Sequence, residues 1–523
     1  MKKFWAILLA VMLVLSMTVV AGAEATGDTE PVAAVNKITA PDNGHTYEIL
    51  QIFTGDLHNG TLANLAWGVN GKVDGTTTKV GDLVSETIIN ELKGKTGDEA
   101  VRDYIVNTLL SSADPFATIG KVDEGFVATK EVPAGYYMIR DKAGTLTGTD
   151  DSYTLYIVKV TGDVTIAPKA DKPSLVKKIK DTNDSEGTTS DWQDSADYDI
   201  GDEVPYRLTA TVANNFQSYK GAYKLVFHDT MEAGLTFNEG SVKVFVNDTQ
   251  ITAGYTVTGI DEHNFTVTLD DLKNVEYGTE GAKVAVGDKI HVEFTATLNK
   301  NAVIGAKGNL NTAYLEFANN PNSEQPEMGE TPEDTVIAFT YQVVINKVHK
   351  VGGEFAPLTG AQFTLEKKIG STTWKTVDIV EVNEAGTVFT FKGLDDGTYR
   401  LTETVVPSGY NKMADVIFTV TADHKIEMPE LNESTRYDVL KTLNGTAENG
   451  VITLNVTKKT EKVNDADKEL IEGLDTIIEN KSGAQLPETG GIGTTIFYVL
   501  GGMMFVGAAL ILIVRRKAEA DEN

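Results

Sequence analysis

Hydrophobic and polar residues alternate along most of the chain, in short runs separated by Gly, Asn and Asp. Examples are YTLYIVKV (153–160), KVFVN (243–247) and HVEFTATL (291–298). A period of two predicts half-buried β-strands, and many short strands of this kind are typical of β-sandwiches. Helical periodicity is confined to SETIINELKG (85–94) and DEAVRDYIVNTLLSS (98–112). We therefore expect an all-β fold of immunoglobulin-like β-sandwich domains, with minor helical content near the start.

Polar segments containing proline divide the alternating region at PKADKPSLVKKIK and at NNPNSEQPEMGETPED. Such segments favour linkers or exposed loops over packed strands. They predict three tandem domains, at residues 24–168, 169–335 and 336–482. A chain of 523 residues has the length for three domains of ordinary size, each with its own core.

The chain begins with the pattern of a secretory signal peptide. Lys2 and Lys3 precede an apolar run, Phe4–Val20, and the small residues Ala21-Gly22-Ala23 follow it. A basic start, an apolar centre and an A-x-A ending are typical of a cleaved signal. We expect residues 1–23 to be removed on secretion.

The other end carries a second apolar run, Ile492–Val514, followed by the basic cluster Arg515-Arg516-Lys517. The run is long enough to span a bilayer, and the basic cluster would stay in the cytoplasm. The pentapeptide Leu486-Pro487-Glu488-Thr489-Gly490 stands directly before the run. We interpret residues 483–523 as one C-terminal sorting segment.

The pentapeptide resembles the L-P-x-T-G signal of Gram-positive surface proteins, which the transpeptidase sortase reads. The resemblance implies cleavage between Thr489 and Gly490, with the Thr489 carbonyl passing to an amine. It also implies a secreted protein that is covalently anchored to the peptidoglycan of the cell wall.

The composition excludes several classes of function. The formal net charge of −29 would repel the phosphates of nucleic acid. The chain has no cysteine, so a secreted form would lack disulfides and thiolate metal sites. Its seven histidines are scattered, and no phosphate-binding glycine loop or hydrolase nucleophile elbow is found. We expect no cofactor and no metal, and no enzyme acting on an external substrate.

The acidic segment DTNDSEGTTSDWQDSADYD (181–199) brings several carboxylates together and could hold calcium. It lacks the spacing of an EF-hand, because Glu186 stands where the glycine should be. The pattern favours a solvated loop.

Three polar residues interrupt the apolar faces of strands in the last domain. Alternation places Lys347 on the apolar face of YQVVINK, Glu403 on that of TYRLTET and Asn480 on that of TIIEN. The middle domain repeats the arrangement. The same alternation places Lys177 on the apolar face of SLVKKI, Asp229 on that of YKLVFHD and Asn311 on that of NTAYLEF. Two domains thus give the same residue types in the same order.

Burial makes such a trio reactive. It favours the neutral amine of Lys and the protonated form of Asp or Glu. A neutral amine is a nucleophile, and a protonated acid can polarise a carboxamide and carry protons. Beside an Asn side chain, the trio could form a Lys–Asn amide and release ammonia.

With these motifs the chain resembles the sortase-assembled major pilins of Gram-positive bacteria. INKVHKVGGEFAPLTGAQFTL, RLTETVVPSGY and IIEN resemble the collagen-adhesin B-type domain, whereas HDTMEAGLTF and NTAYLEF resemble the isopeptide-forming pilin domain. The resemblance implies a Lys177–Asn311 bond assisted by Asp229. It implies a second bond in the last domain, between Lys347 and Asn480 and assisted by Glu403. In the middle domain Lys178 and Asn309 are the alternatives, and strand alternation disfavours Lys178.

The resembled pilins receive the Thr carbonyl of the next subunit on an exposed lysine at the end of the first domain. Lys169, in DVTIAPK, stands at the matching point after a proline that ends the strand. The match departs from the family pattern at Ala167, where an aromatic residue is usual, and Lys172 is the rival acceptor. The segment EVPAGYYMIRD, which contains Glu131, echoes the acid-bearing motif, but no crosslink is predicted in the first domain.

The sequence thus predicts the backbone subunit of a covalent, wall-anchored pilus, which is a substrate of sortase rather than an enzyme. Its expected partners are pilus-class and housekeeping sortases, other copies of itself, peptidoglycan, and tip or basal accessory pilins. The alternative is an adhesin or accessory pilin that is anchored singly through Thr489 and binds a host or matrix ligand.

Overall fold

The computed structural model describes residues 35–58, 60–96, 98–122, 125–146, 152–166, 172–321 and 323–483, together with 500, 503 and 504. These residues form β-strands almost throughout, with two short α-helices, so the predicted all-β class is confirmed. The predicted signal peptide, Lys169, the LPETG sequence and most of the predicted membrane span lie outside the described residues. Within the described part of the chain, no helix is long and apolar enough to cross a membrane.

The first part of the chain carries both helices, at the places that the sequence predicts: α1 (Glu86–Lys93) and α2 (Asp98–Tyr104), which a π-helical turn (Ile105–Leu109) follows. Its strands are β1 (Val35–Thr39), β2 (Thr46–His58), β3 (Thr61–Trp67), β4 (Ala117–Val122), β5 (Gly125–Val127), β6 (Thr129–Pro133), β7 (Gly135–Asp141), β8 (Leu155–Val160) and β9 (Val164–Thr165).

Strand β2 is buried on both faces, because a different layer covers each one. It lies in a sheet of order β5-β4-β2-β7-β8, with β3 also paired to β2. One face packs Phe53 against Leu92 and Ile105 of the helical region. The other face packs Ile49 against Ile38 of the small sheet β6-β1-β9.

The middle of the chain contains the strands β10 (Leu175–Ile179), β11 (Thr182–Asn183), β12 (Thr188–Thr189), β13 (Ser195–Asp197), β14 (Glu203–Thr211), β15 (Leu225–Met231), β16 (Leu235–Phe237), β17 (Lys243–Val246), β18 (Thr249–Ile251), β19 (Thr256–Gly259), β20 (Asn264–Leu269), β21 (Glu276–Tyr277), β22 (Ala282–Lys283), β23 (Lys289–Leu298), β24 (Asn309–Ala318), β25 (Met328–Glu330) and β26 (Asp334–Phe339). Short 3₁₀ turns lie at Phe216–Ser218, Glu239–Ser241 and Leu272–Asn274.

Two sheets of these strands form a β-sandwich. One has the order β10-β14-β23-β17-β18, and in the other β24, β15, β20 and β19 follow one another. The inward positions alternate strictly along β14, β20 and β23. Phe265 of β20 meets Phe294 of β23 with ring centroids 4.8 Å apart, which places aromatic side chains between the sheets.

The last part of the chain contains the strands β27 (Tyr341–Val351), β28 (Glu354–Pro357), β29 (Gln362–Ile369), β30 (Thr373–Thr376), β31 (Val380–Val382), β32 (Val388–Leu394), β33 (Gly397–Val405), β34 (Val416–His424), β35 (Leu440–Ala447), β36 (Asn455–Val463) and β37 (Ala466–Glu479). Short 3₁₀ turns lie at Arg436–Asp438 and Glu448–Gly450.

These strands also build two sheets, of order β31-β32-β27-β37-β36 and β30-β29-β33-β34-β35. Phe389 of β32 contacts Phe363 of β29 across the core, with ring centroids 5.0 Å apart. Strands β27 and β37 are parallel neighbours, which brings the opening strand of this sandwich beside its closing strand.

Two compact units divide the described residues. One contains residues from 35–179, 203–297 and 310–336, and the other contains 180–202, 298–309 and 337–483. The acidic segment 181–199 therefore packs with the last sandwich rather than with β10, which precedes it in the chain. The three domain boundaries remain a prediction.

Candidate functional site: two buried lysine clusters

Lys177 lies at the centre of β10 and points into the core of the middle sandwich. It is completely buried, as strand alternation predicts, because Leu175 and Ile179 share its face. Its Nζ donates a hydrogen bond to the Asp229 carboxylate on β15 of the facing sheet. The same Nζ lies 5.3 Å from the ring centroid of Phe294, so the surroundings are otherwise apolar.

Asn311 completes this cluster from β24, the antiparallel neighbour of β15. It pairs with Met231 in the strand register, whereas Ala313 pairs with Asp229, so Asn311 and Asp229 are diagonal neighbours on one face. The Asn311 side chain is fully buried, and it interacts with the Asp229 carboxyl group, whose pKa it lowers.

Burial shifts both titratable groups of the cluster toward their neutral forms. It lowers the pKa of Lys177 below its usual value, and the nearby Asp229 carboxylate offsets only part of this effect. It raises the pKa of Asp229, an effect that the Lys177 ammonium in turn reduces. A neutral amine and a protonated acid are the forms that amide formation with Asn311 requires.

The alternatives that the sequence leaves open in the middle domain have different surroundings. Lys178 is half-buried on the opposite face of β10, in register with Arg207. Asn309 is buried, but backbone groups occupy its carboxamide: Oδ1 accepts a hydrogen bond from Val303 N at 2.8 Å, and Nδ2 donates to Ala338 O at 3.2 Å. Both observations favour Lys177 and Asn311.

Lys347 occupies the corresponding position in the last sandwich. It lies on β27 in register with Ile478 of β37, and Asn480 directly follows β37. Both side chains are buried. The Lys347 Nζ lies 2.5 Å from the Oδ1 atom of Asn480 and donates a second hydrogen bond to Ile478 O at 3.2 Å. The amine therefore lies against the carboxamide that it is predicted to attack.

Glu403 reaches the same point from β33 in the facing sheet. Its Oε1 accepts a hydrogen bond from the Asn480 Nδ2 at 2.8 Å and lies 3.7 Å from the Lys347 Nζ. Its Oε2 accepts a hydrogen bond from Met413 N at 3.1 Å, which fixes the orientation of the carboxyl group. Burial lowers the pKa of Lys347, with Glu403 opposing the shift.

The first part of the chain differs from both sandwiches. Glu131, in the segment that echoes the acid-bearing motif, is exposed on β6. The buried charged groups there are His45 and Asp141, whose Nδ1 and Oδ1 atoms are 2.9 Å apart. Among the described residues between 35 and 166, no lysine is buried. The acceptor Lys169 and the LPETG pentapeptide lie outside the described residues.

A third buried lysine, Lys367, is missed by the sequence analysis. It lies on β29, donates to the Asp395 carboxylate, and has its Nζ 3.0 Å from the Asp199 Oδ2. Strand alternation in the sequence could have identified it. Lys367 continues the apolar face of Phe363 and Leu365, just as Lys347 continues the apolar face of β27. These carboxylates hold Lys367 as a cation, raising its pKa above the usual value despite its burial.

The expectation of a solvated loop at 181–199 is wrong for the end of that segment. Asp194, Asp197 and Asp199 are buried, because β13 pairs with β26 and the residues around it contact the last sandwich: Met428 N donates a hydrogen bond to the Asp194 Oδ2 at 2.6 Å. The sequence predicts a solvated loop at 181–199 because unpaired carboxylates are costly to bury.

Comparisons with known families place three segments of the chain. Residues 200–321 match the Gram-positive pilin backbone subunit 2, Cna-B-like domain. Residues 342–433 match a prealbumin-like fold domain, and residues 478–520 match the LPXTG cell wall anchor motif. A similar sequence is the trypsin-resistant surface T6 protein of Streptococcus pyogenes serotype M6, which is 26% identical over 412 aligned residues. The alignment covers 68% of this chain and 71% of that protein.

Similar folds occur among solved pilins. The T6 backbone pilin of serotype M6 Streptococcus pyogenes aligns with a TM-score of 0.47 and 18% identity, covering 86% of this chain and 98% of that one. The full-length major pilin SpaD from Corynebacterium diphtheriae aligns with a TM-score of 0.43 and 18% identity, over the same shares.

The β-sandwich domains and the wall-anchor motif define a secreted surface protein that is anchored to the cell wall. The resemblance to Gram-positive backbone pilins is confirmed, because residues 200–321 match their backbone-subunit domain and residues 478–520 match the wall-anchor motif.

Proposed function

We propose that the chain is joined covalently to further copies of itself by sortase and is locked internally by two Lys–Asn amide bonds. The observation that carries the internal bonds is the contact of Lys347 with the Asn480 carboxamide, beside a carboxyl group that also contacts that amide. The middle sandwich also brings together a buried Lys, a buried carboxyl group and a buried Asn.

The reaction in the last sandwich needs no outside reagent. The neutral Lys347 amine attacks Cγ of Asn480, and a Cγ–Nζ bond forms while the Cγ–Nδ2 bond breaks. Glu403 takes a proton from the amine and delivers it to Nδ2, which leaves as ammonia, so each bond removes one ammonia from the chain. Lys177, Asn311 and Asp229 follow the same course in the middle sandwich.

The internal bonds would replace the disulfides that this chain lacks. The Lys347–Asn480 bond would connect β27 to the end of β37, residues 133 positions apart in the sequence. A pulling force transmitted from one end of the sandwich to the other would then pass through covalent bonds. The strands between them would bear little of it.

Polymerisation is assigned to Thr489 and Lys169. Sortase would break the Thr489–Gly490 peptide bond, hold the Thr489 carbonyl, and transfer it to the Lys169 Nζ of another copy. The C-terminal fragment leaves with a free amine at Gly490. The final transfer, to an amine of the peptidoglycan, would anchor the polymer and would be the task of the housekeeping sortase.

The test is Lys169→Ala in the native host, with Lys172→Ala as the matched control, because Lys172 is the rival acceptor. Denaturing electrophoresis of wall extracts should show a ladder of covalent polymers for the wild type and for Lys172→Ala, and monomer for Lys169→Ala. A ladder that persists in Lys169→Ala and disappears in Lys172→Ala would move the assignment to Lys172. Absence of any ladder in the wild type would support a singly anchored adhesin instead.

A further inference from the structure

Three carboxylates converge inside the unit that contains the last sandwich. Asp197 ends β13, and Asp395 and Asp396 form the turn between β32 and β33. Each contributes one carboxylate oxygen to a group in which all the oxygens lie within 4.8 Å of one another. We call these three residues the turn carboxylates. Asp197 is distant in the sequence from the adjacent pair Asp395 and Asp396.

Two of these carboxylates are almost completely buried. Asp197 is 1% exposed and Asp395 is fully buried. The Asp197 Oδ1 and the Asp395 Oδ2 have no hydrogen-bond partner among the described residues. An unpaired carboxylate oxygen in a protein interior is strongly unfavourable, so the arrangement indicates a missing positive group.

The buried lysine of this region does not supply that group. Lys367 contacts the Asp395 carboxylate through Oδ1 only, which leaves Oδ2 unpaired. Its Nζ is otherwise directed to Asp199 at 3.0 Å and to Asp184 at 3.6 Å. Those two, with Asp202, form a second close group of carboxylates, and Lys375 contacts Asp202 at 3.7 Å. Lys367 is therefore shared between Asp395 and the second group, and the Asp395 Oδ2 stays without a partner.

We propose that the turn carboxylates bind one calcium ion. The donor atoms are carboxylate oxygens, which suit hard divalent cations rather than thiolate- or imidazole-preferring metals. Calcium tolerates irregular oxygen cages and bidentate carboxylates, whereas magnesium demands a near-ideal octahedron and retains most of its water. A site formed by a strand end and a tight turn is irregular in this sense. A wall-anchored protein also faces the extracellular medium, where weak calcium sites can be filled.

A bound ion would join the acidic segment 181–199 to the β32–β33 turn. It would compensate the Asp197 and Asp395 oxygens that lack partners and would fix the strand β13 on this unit. The proposal does not depend on sortase or on either amide bond, so its failure would leave the proposed function untouched.

The experiment uses the full chain, purified in detergent and stripped of divalent ions with a chelator. Calcium chloride is titrated calorimetrically, and magnesium chloride is titrated separately. Terbium, a luminescent substitute for calcium, gives a local readout, because the Tyr399 hydroxyl lies 3.3 Å from the Asp395 Oδ1 and tyrosine can sensitise its emission. We expect one calcium per chain, weaker binding of magnesium, and terbium emission that calcium abolishes.

The variants are Asp197→Asn and Asp396→Asn, with the exposed Asp415→Asn as the matched control. Asparagine preserves the shape of the aspartate side chain, so folding should survive, and circular dichroism without calcium checks this. Each variant should lose about tenfold or more in calcium affinity, since ligand charge sets the affinity of such sites, whereas Asp415→Asn should bind as the wild type does. Absence of calcium binding at millimolar concentration, or unchanged affinity in both folded variants, would overturn the proposal.

Discussion

The Lys347 Nζ lies 2.5 Å from the Asn480 Oδ1, although 133 positions separate the two residues in the sequence. The parallel pairing of β27 with β37 produces this contact, because it sets Lys347 opposite Ile478 and Asn480 one step beyond the strand end. The reactive pair is therefore assembled by sheet topology, and it forms only when the first and last strands of the sandwich have met. Bond formation would report correct folding of this unit.

The first prediction concerns Glu403. Glu403→Gln keeps the shape and the hydrogen bond to Asn480 but cannot exchange a proton, so the Lys347–Asn480 bond should not form. Intact-mass measurement should find the variant heavier by one ammonia than the mass expected for a chain with two bonds. Its free energy of unfolding should fall by about 4–5 kcal/mol if the chain-entropy relation for disulfides applies.

The control for this prediction is Glu479→Gln, because Glu479 is the neighbouring acid on β37 and its carboxylate faces Lys350 instead, at 3.9 Å. The Glu479→Gln protein should still form both bonds and so lack the mass of two ammonia molecules. A Glu403→Gln protein that still lacks the mass of two ammonias would show that Glu403 does not assist the reaction.

The second prediction distinguishes the two adjacent lysines of β10. Lys177→Met replaces the buried amine with an apolar chain of similar length and leaves Asp229 free to stay protonated. It should lose the crosslink of the middle sandwich and leave the other intact. Lys178→Met, on the opposite face, should keep both bonds. Peptide mapping that finds a linked peptide containing Asn311 in Lys177→Met would contradict the assignment.

The third prediction separates Asn311 from Asn309 by two different measurements. Asn311→Ala should abolish the middle crosslink, because its carboxamide is the proposed electrophile. Asn309→Ala should keep the crosslink but leave the Val303 N–H and the Ala338 carbonyl without partners. Loss of such buried contacts costs about 1–3 kcal/mol, so this variant should melt earlier with an unchanged mass. If Asn309→Ala lost the middle crosslink and Asn311→Ala kept it, Asn309 would be the linked residue.

Strand alternation explains how much of both clusters could be predicted from the sequence. A period of two decides which face a residue occupies, and it placed Lys177 and Lys347 correctly inside the core. It says nothing about which strands become neighbours or which sheets face each other. The sequence alone therefore could not say which acid lies beside each lysine, and the family resemblance supplied that pairing. In the structure Asp229 contacts Lys177, and Glu403 lies beside Lys347.

The same limit explains why the sequence analysis missed Lys367 and left the choice between Asn309 and Asn311 open. Lys367 obeys the same alternation, but its partners Asp199 and Asp395 lie in turns or at strand ends, where no periodicity marks them. Asn309 and Asn311 share one face of β24 and are both buried, so alternation cannot separate them. Only the hydrogen bonds of their carboxamides distinguish the two residues.

The fourth prediction tests the close approach of β27 and β37. A Cβ added at Gly473 would lie 2.6 Å from both the Cγ and the carbonyl oxygen of Gln342, which is too short for the backbone to remain in place. Gly473→Ala should therefore force these strands apart and destabilise the sandwich by about 1–3 kcal/mol. The displaced strands should also reduce the fraction of chains that carry the Lys347 bond.

Gly240→Ala is the control for this substitution, because a Cβ there meets no atom within 4 Å. Calorimetry gives the stability of both variants, and mass spectrometry gives the linked fraction. A Gly473→Ala protein that is as stable and as fully linked as Gly240→Ala would show that the strands tolerate the extra methyl group.

The fifth prediction is a dependence of stability on pH through His291. This residue is half-buried on β23, and its Nδ1 lies 2.9 Å from the Thr209 Oγ1. Burial lowers its pKa below 6.5, and the charges of Arg207 and Lys289 lower it further. As the pH falls below 6.5, the unfolded chain therefore binds a proton that the folded chain resists. The stability that His291 contributes is full above pH 6.5 and declines as the pH falls toward the folded pKa.

His291→Gln removes this titration and should flatten the decline between about pH 6.5 and pH 5 relative to the wild type, since His titrates in this range. The exposed His58→Gln serves as the control, and the differences between variants cancel the contribution of carboxylates common to all three. Melting curves across the pH range provide the measurement. Because β23 belongs to a sheet of the middle sandwich, a flattened profile would locate the acid sensitivity in this sandwich. Identical slopes in all three proteins would mean that His291 protonates equally in the folded and unfolded chains.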